Sequence, residues 1–432
     1  MQYIPNLLFL LLLVFGIGFF TKNIRKIIRN IKIGQPVAAL NHKGQRWNNV
    51  LRIALGQTKM VVRPIPGLLH FVVYLGFIII NLEVLEIIID GLFGTHRVFS
   101  SLGGFYGFLI ASFEILAVLV FVSVIVFWLR RNILKLKRFW NPEMKGWPKN
   151  DGNFILYFEM VLMTLFLIMN ATDIHFQEMN NGNIISKYIA GWFSGTSEGT
   201  LHFIERTAWW LHMVGILIFL NYLYFSKHLH IILAFPNVYF GRVTPKGQFA
   251  NLASVTKEVK LMMDPSADPY AAPPEGTENP AKFGASDVMD LTTTQLLNAY
   301  TCTECGRCTS ECPANQTGKK LSPRKIMMDT RDRLEEVGKN IDTHKTFQPD
   351  GKQLLDDYIT REELWACTTC NACVEACPVS IDPLSIIMAM RQYLVMEQSA
   401  APTELNVTMN NIENNAAPWP FNQMDRANWI NE

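Results

Sequence analysis

Five apolar stretches in the first 235 residues constrain the fold most, because each is close to the length that an α-helix needs to cross a bilayer. We predict membrane-spanning helices at about 4–20, 67–89, 105–128, 153–171 and 207–226. A long basic segment follows the first stretch and no basic residue precedes it, so we interpret it as a retained span rather than a cleaved signal peptide. Only 18% of the 432 residues are charged and the formal net charge is +2, which argues against a basic nucleic-acid-binding protein and an acidic disordered chain.

Lys and Arg are concentrated in alternate loops, and this asymmetry predicts the orientation of the chain. Residues 21–66 hold ten Lys or Arg and residues 129–152 hold seven, whereas the loops 91–104 and 172–203 hold one each. Because positively charged loops resist translocation, we expect the N-terminus outside and everything after the fifth span in the cytosol of a bacterium, with the helices in its inner (cytoplasmic) membrane. We attribute the basic loops to topology and to contact with anionic lipid rather than to a ligand site.

All eight cysteines belong to two runs with the pattern C-x2-C-x2-C-x3-C-P. In such runs the first three thiolates bind one [4Fe-4S] cluster, and the fourth, which precedes proline, binds the other cluster. The first predicted cluster has the ligands Cys302, Cys305, Cys308 and Cys377. The second has the ligands Cys367, Cys370, Cys373 and Cys312. Zinc sites use paired C-x2-C motifs, and neither zinc nor disulfides would account for the triple spacing.

The rest of the chain sets the expected domain organisation. Residues 1–234 form the predicted membrane domain, residues 235–290 a linker rich in Pro, Gly and Ala, and residues 291–432 a domain with two [4Fe-4S] clusters. The 54 residues between Cys312 and Cys367 look helical, which disfavours a four-stranded ferredoxin sandwich. The expected fold class is mainly α: a five-transmembrane-helix bundle followed by a helix-rich, ferredoxin-like cytosolic domain. Thiolate-held clusters belong in a reducing compartment, which agrees with the loop charges.

Two histidines share one predicted depth, near the cytosolic ends of the second and fifth spans. His70 and His230 could supply both axial bonds to the iron of haem b; the alternative is that His70 reaches the interface and His230 caps a helix. His212 precedes His230 by 18 residues, about 27 Å on a continuous helix, and the matching position of the second span is Ile80. We therefore expect one haem, leave a second open, and assign His212 to a quinone pocket or a structural role.

Carboxylates inside the spans usually face a cavity or a proton path. Glu83 and Glu86 of the second span are the candidates for a quinone or proton site, since quinone reduction takes up protons as well as electrons. The alternative is that they pair within the bundle and hold helices together.

These residues resemble two known families. The placement of His70, His212 and the segment Phe225-Ser-Lys-His-Leu-His230 is similar to the nitrate reductase gamma subunit and its relatives in heterodisulfide-reductase-like complexes. That resemblance implies a proximal haem on His70 and His230, and it places Ile80 where the family has a distal-haem histidine. The soluble half, through Ala417-Pro-Trp-Pro, resembles the iron-sulfur part of membrane-bound electron-transfer-flavoprotein:quinone oxidoreductases. It implies that a cysteine-rich CCG module is present as a separate iron-sulfur subunit.

The expected function is that of a membrane subunit of a quinone-linked oxidoreductase. Electrons would pass from a cytosolic partner, electron-transfer flavoprotein acting through a CCG subunit, across two [4Fe-4S] clusters and haem b to menaquinone or ubiquinone. No catalytic side chain is expected, because the chemistry belongs to iron and quinone. The alternatives are a quinol-driven heterodisulfide-type reductase subunit and a haem-free, cluster-bearing membrane anchor or sensor.

Overall fold

The computed structural model describes residues 3–37, 41–245, 247–249, 251–266 and 282–431. Over these ranges the chain is mainly α-helical and has no β-strand, only two isolated bridges. Five helices in the same ranges are long and apolar enough to span a membrane: Ile4–Ile31, Pro64–Phe93, Gly104–Asn132, Trp147–Thr172 and Glu198–Phe225. The predicted fold class is confirmed. We call residues 3–245, which contain the five long helices, the membrane half. We call residues 282–431 the cluster half; it is helix-rich and forms no four-stranded sandwich.

The membrane half contains the following helices. They are α1 (Ile4–Ile31), α2 (Lys43–Asn49), α3 (Pro64–Phe93), α4 (Gly104–Asn132), α5 (Trp147–Thr172), α6 (Ile174–Met179), α7 (Ser186–Ala190), α8 (Glu198–Tyr222) and α9 (His230–Phe240). Most of the long helices extend beyond the predicted spans, because the apolar pattern marks only the part that faces lipid while helical hydrogen bonding continues into the polar loops.

The five long helices form a closed ring. Neighbours α1 and α3, α3 and α4, α4 and α5, and α5 and α8 pack together, and α8 packs back against α1. The interior is filled by apolar side chains such as Ile110, Ala117 and Phe166, which are almost fully buried. Large apolar residues such as Leu8 and Phe15 are exposed on the outside, as expected of helices whose outer surface contacts lipid.

The fifth span does not continue to His230, which corrects the predicted position of that residue. Helix α8 ends at Tyr222, and two 3-10 turns, Leu223–Phe225 and Lys227–Leu229, separate it from α9, whose first residue is His230. The predicted span ends at about 226, close to this break, but the apolar periodicity does not show that a new helix begins at His230. The 27 Å separation calculated for one continuous helix between His212 and His230 therefore does not apply.

The remaining helices belong to the linker region and the cluster half. They are α10 (Ala253–Met263), α11 (Thr293–Thr301), α12 (Arg307–Ser310), α13 (Pro313–Gln316), α14 (Pro323–His344), α15 (Leu354–Asp357), α16 (Arg361–Trp365), α17 (Ala372–Ala376), α18 (Pro383–Met396) and α19 (Thr403–Asn415). The predicted linker 235–290 is not extended throughout, because it contains the end of α9 and all of α10. Ala285 and Val288 are buried in the core of the cluster half, and the Pro-rich residues 268–280 lie outside the described ranges.

The cluster half lies directly against one end of the helical ring, which we call the cluster end; we call the opposite end the distal end. One hydrophobic core combines Ile27 and Phe219 of the membrane half with Leu296 and Leu334 of α11 and α14. A buried hydrogen bond of 2.9 Å also joins Asn30 Nδ2 to the hydroxyl of Tyr300. The two halves are therefore joined by a continuous packed contact.

Candidate cofactor sites

The fourth cysteine of each run lies with the thiols of the other run. Cys312 lines one small cavity together with Cys367, Cys370 and Cys373. Cys377 lies close enough to the first run for its charge to raise the pKa of Cys302 and of Cys308. The structure thus brings the eight thiols together as two groups, each made of three cysteines from one run and one from the other.

Both runs have the same unusual backbone around their second cysteine. Glu304 and Gly306 flank Cys305 with φ of 53° and 72°, and Thr369 and Asn371 flank Cys370 with φ of 57° and 61°. Left-handed residues alternating in this way turn backbone N–H groups toward one centre, which favours an anionic group there. In the second run the backbone N–H of Thr369 lies 3.4 Å from the sulfur of Cys367.

The thiols are buried in surroundings that do not stabilise their charge. Burial raises the pKa of Cys302 and of Cys373 to about 12, and that of Cys377 to about 11. Thiolates at these positions require the positive charge of bound metal. In the described ranges no three His, Cys, Asp or Glu side chains converge on a single-ion site. The C-x2-C-x2-C-x3-C-P pattern of both runs fits an iron-sulfur cluster, in which each thiolate binds a different iron, better than it fits zinc.

His70 and His230 face each other at the cluster end of the ring, with 6.4 Å between their ring centres. Two imidazoles that bind one metal ion from opposite sides have ring centres about 6 Å apart, since each metal–nitrogen bond is about 2 Å long. The Nδ1 of His230 donates to the carbonyl oxygen of Lys227 at 3.1 Å, which leaves Nε2 free as a ligand. The Nδ1 of His70 is buried without a hydrogen-bond partner. The pair fits the axial ligands of a haem.

Two other histidines differ in their surroundings. His228, which sequence reasoning assigns to the interface on another face, lies beside His230 with ring centres 5.4 Å apart. The prediction assumed that His228 and His230 lie on one continuous helix, where residues two apart point to different faces. His228 lies instead in the 3-10 turn Lys227–Leu229, which brings its ring beside that of His230. His212 is buried deeper in the ring, where its Nδ1 donates to the carbonyl oxygen of Leu162 at 3.1 Å. That hydrogen bond orients the imidazole of His212 and leaves its Nε2 without a described partner.

Arg307 links the first group of thiols to the imidazole pair, and sequence reasoning missed it. It directly precedes Cys308 on α12, and its guanidinium donates to the carbonyl oxygens of Lys59 and Met60 at 3.2 and 3.3 Å, just before α3. Its positive charge lies close enough to interact electrostatically with the thiol of Cys305 and with the imidazole of His70. A buried cation therefore lies within electrostatic range of both candidate cofactor sites, where it would favour the more reduced state of each.

An ion-pair network joins the first cysteine run to the break between α8 and α9. The carboxylate of Glu304 accepts hydrogen bonds from the ammonium of Lys227 and, at 2.8 Å, from the guanidinium of Arg331. These two cations hold the pKa of Glu304 down, at about 2, although burial opposes its ionisation. Because Lys227 lies three residues before His230, this network fixes the position of the thiols relative to the imidazoles.

Glu83 and Glu86 lie together near the distal end, in the wall of a cavity of about 340 Å³. The carboxylate of Glu86 accepts hydrogen bonds from the backbone N–H of Phe99 at 2.8 Å and from the hydroxyl of Tyr106 at 3.1 Å. Both oxygens of Glu83 are buried without a partner. A carboxyl group in this state is a good proton carrier, since no fixed partner holds it in one protonation state.

The cavity is about 20 Å from His70 along α3, since 13 residues separate His70 from Glu83. It also contains charges that the sequence prediction did not include, namely Arg97 and Asp173, whose side chains are 2.9 Å apart. Arg97 and Asp173 belong to different loops, so their positions in the sequence do not show that they form a pair.

Comparison with known proteins identifies the cluster half. A family model described as a 4Fe-4S dicluster domain matches residues 301–381. The chain is 29% identical to the probable iron-sulfur-binding oxidoreductase FadF of Bacillus subtilis, over 99% of this chain and 61% of that protein. It is 26% identical to the EtfAB:quinone oxidoreductase of Syntrophomonas wolfei, over 94% of this chain and 55% of that protein. A probable membrane-anchored ferredoxin of Chromohalobacter salexigens is 32% identical over 34% of this chain and 24% of its own length. No solved structure matches the chain.

The chain spans about three fifths of the length of the first two relatives. Together with the dicluster match and the five apolar helices, these similarities show a membrane protein with an iron-sulfur electron-transfer half. Relatives of this chain are named as oxidoreductases or as a reductase subunit, which agrees with the predicted role in an oxidoreductase complex.

Proposed function

We propose that this chain is the membrane subunit of a quinone oxidoreductase, which passes electrons from a cytosolic donor to menaquinone or ubiquinone. The observation that carries the proposal is the packed contact between the two halves, in which Arg307 lies within electrostatic range of both the first thiol group and His70. When bound, two [4Fe-4S] clusters on the eight cysteines and haem b on His70 and His230 would supply a series of one-electron carriers.

Electrons enter on the surface around Cys370. It is the exposed member of the second thiol group, whereas Cys302 and Cys312 are buried. A donor that docks there reaches the second group first, and the first group lies behind it against the bundle. The proposed donor is electron-transfer flavoprotein, and the name of the Syntrophomonas relative supports this choice. A CCG-type iron-sulfur subunit is the proposed intermediary between this donor and the chain.

The distal cavity is the proposed quinone or proton site. The carboxyl group of Glu83 has no hydrogen-bond partner there and is available to take up and release a proton, and Glu86 is oriented by Tyr106 and by the backbone of Phe99. Reduction of a quinone takes up protons together with electrons. Carboxyl groups close to a bound quinone would supply those protons. The orientation given by the loop charges would put this cavity on the outer side of the membrane and the thiols in the cytosol.

A second candidate is a reductase that runs in the opposite direction, from quinol to a cytosolic disulfide. One component of the dihydromethanophenazine:CoB–CoM heterodisulfide reductase of Methanosarcina mazei is 28% identical over 34% of this chain and 37% of its own length. The EtfAB:quinone oxidoreductase matches 94% of this chain, far more than the heterodisulfide reductase component does, so we favour quinone reduction. The membrane-anchored ferredoxin supports a third candidate, a haem-free anchor.

An optical spectrum of the purified, dithionite-reduced holoprotein separates the haem-free anchor from the other two candidates. We expect a b-type haem spectrum in the wild type, its loss in His70→Ala and in His230→Ala, and its retention in the control His212→Ala, a buried histidine outside the His70–His230 pair. Absence of the band from the wild type would favour the haem-free anchor, whereas its persistence in both ligand variants would show that residues other than His70 and His230 bind the haem. Iron content is measured in the same samples to show that the cluster half has folded.

The donor is tested in vesicles that contain the full chain, its co-purifying subunits and menaquinone. Reduced electron-transfer flavoprotein is expected to reduce the quinone, and the His70→Ala variant is expected to lose most of this activity. Reduction of a disulfide acceptor by added quinol, without reaction with the flavoprotein, would favour the second candidate instead.

A further inference from the structure

A groove at the cluster end of the bundle is lined by positive charges. It lies between the start of α3 and the loop after α4, and its volume is about 470 Å³. The charged residues in its wall are Arg63, Arg130, Lys137 and Arg138. Its other lining residues are apolar, and no carboxylate of the described ranges is among them. A groove of this composition suits an amphiphile with an anionic head group.

The protein compensates these charges only in part. Arg63 donates to Glu311 at 2.6 Å and to the hydroxyl of Ser310 at 3.0 Å. Arg138 lies near Cys305, yet its Nε is buried without a hydrogen-bond partner. Arg130 and Lys137 form no ion pair with the described part of the chain. Proximity to the first thiol group therefore accounts for Arg138. Arg130 and Lys137 have no such partner among the described residues and are available to bind another anion.

The apolar residues in the wall of the groove indicate whether the anion belongs to a lipid or is free phosphate. Val62 and Ile65 are 76% and 63% exposed; Val62 lies two residues before membrane-spanning α3 and Ile65 lies in its first turn. Residues at this position meet the boundary between head groups and acyl chains. Free phosphate would use only the charges of the groove, whereas a phospholipid would also cover Val62 and Ile65.

We propose that this groove binds an anionic phospholipid, with its phosphate among Arg130, Lys137 and Arg138 and its acyl chains along Val62 and Ile65. The site lies beside the contact between the two halves, because Arg63 in its wall also binds Glu311 of the cluster half. A bound lipid would thus stabilise this contact. The proposal depends on membrane insertion of the helices and is independent of the donor proposed above.

Native mass spectrometry of the detergent-solubilised holoprotein tests this. Phosphatidylglycerol is titrated against phosphatidylcholine with the same acyl chains, and we expect selective binding of phosphatidylglycerol to the wild type. The double variant Arg130→Gln/Lys137→Gln should bind it about 30-fold more weakly, since each cation at an anionic membrane surface contributes about fivefold. The matched control is Lys22→Gln/Arg25→Gln, which removes two exposed charges of α1 at the same end of the bundle and should bind like the wild type.

Several results would overturn the proposal: equal binding of the two lipids, equal weakening in both double variants, or displacement of the lipid by millimolar inorganic phosphate. The last result would show a site for free phosphate. Iron content and unfolding temperature of each variant show whether it folds. If the double variant does not fold, Lys137→Gln alone is measured, with an expected weakening of about fivefold, and Lys137→Arg is expected to restore binding.

Discussion

Buried charged residues at the contact between the two halves meet opposite charges or carbonyl groups. Arg324 is fully buried, and its guanidinium donates to Glu143 at 2.7 Å and to the carbonyl oxygen of Arg138. Removal of one partner of such a pair typically costs about 3–5 kcal/mol, because the other charge stays buried. These residues are the ones that sequence reasoning could not find, since Arg324 and Glu143 are 181 positions apart and look like ordinary surface charges.

Single cysteine substitutions test the exchange of ligands between the runs. Cys377→Ala should remove the same cluster as Cys305→Ala, and Cys312→Ala the same cluster as Cys370→Ala, because the thiols group across the runs. Each variant should keep about four of the eight irons that two cubane clusters contain. Electron paramagnetic resonance of the reduced protein distinguishes the two signals. If Cys377→Ala instead lost the signal that Cys370→Ala loses, each run would hold its own cluster.

At the level of helices, the break between α8 and α9 determines where His230 lies. The carboxylate of Asp151 on α5 accepts hydrogen bonds from the backbone N–H of Lys227 at 3.1 Å and from the hydroxyl of Tyr222 at 2.6 Å. It thereby joins the end of α8 to the turn that precedes α9. The apolar periodicity correctly predicts that a helix crosses the membrane here, but it carries no information about a turn that a distant side chain holds.

Asp151→Ala should therefore lower the haem content of the purified protein by displacing His230, although Asp151 touches neither candidate ligand in the described contacts. Asp151→Asn keeps an oxygen acceptor and should retain more haem. The haem-to-protein ratio is measured by pyridine haemochrome, with Asp356→Ala as the control, since Asp356 pairs with Arg361 on the surface of the cluster half. Full haem content in Asp151→Ala would show that the turn holds without this carboxylate.

At the scale of the whole molecule, close packing between α1 and α14 fixes the cluster half on the bundle. Gly338 of α14 lies against Asn30 of α1 so closely that an added Cβ would come within 2.4 Å of the amide of Asn30. The sequence predicts both halves and the spacing of their cofactor ligands. It does not predict how the halves meet, because glycine at a helix crossing and contacts such as Asn30 with Tyr300, 270 positions apart, leave no periodic signal.

Gly338→Val should loosen this contact while each half stays folded. We expect normal iron and haem content but at least tenfold slower reduction of haem by a soluble donor, since electron transfer depends on the contact that holds the carriers together. Stopped-flow absorbance measures this rate. Gly44→Val is the control, because Gly44 is also helical and an added Cβ there meets no atom within 4 Å. Equal rates in both variants would mean that the packing of α1 against α14 does not determine electron transfer.

The grouping of Cys377 with the thiols of the first run sets an order for biogenesis. Translation delivers the helices of the membrane half before any cysteine, and neither metal site is complete until the second run has left the ribosome. Iron loading is thus a late event, which takes place on a chain already tethered to the bilayer. A nascent polypeptide that stalls between the two runs would display four thiols with neither group of ligands complete.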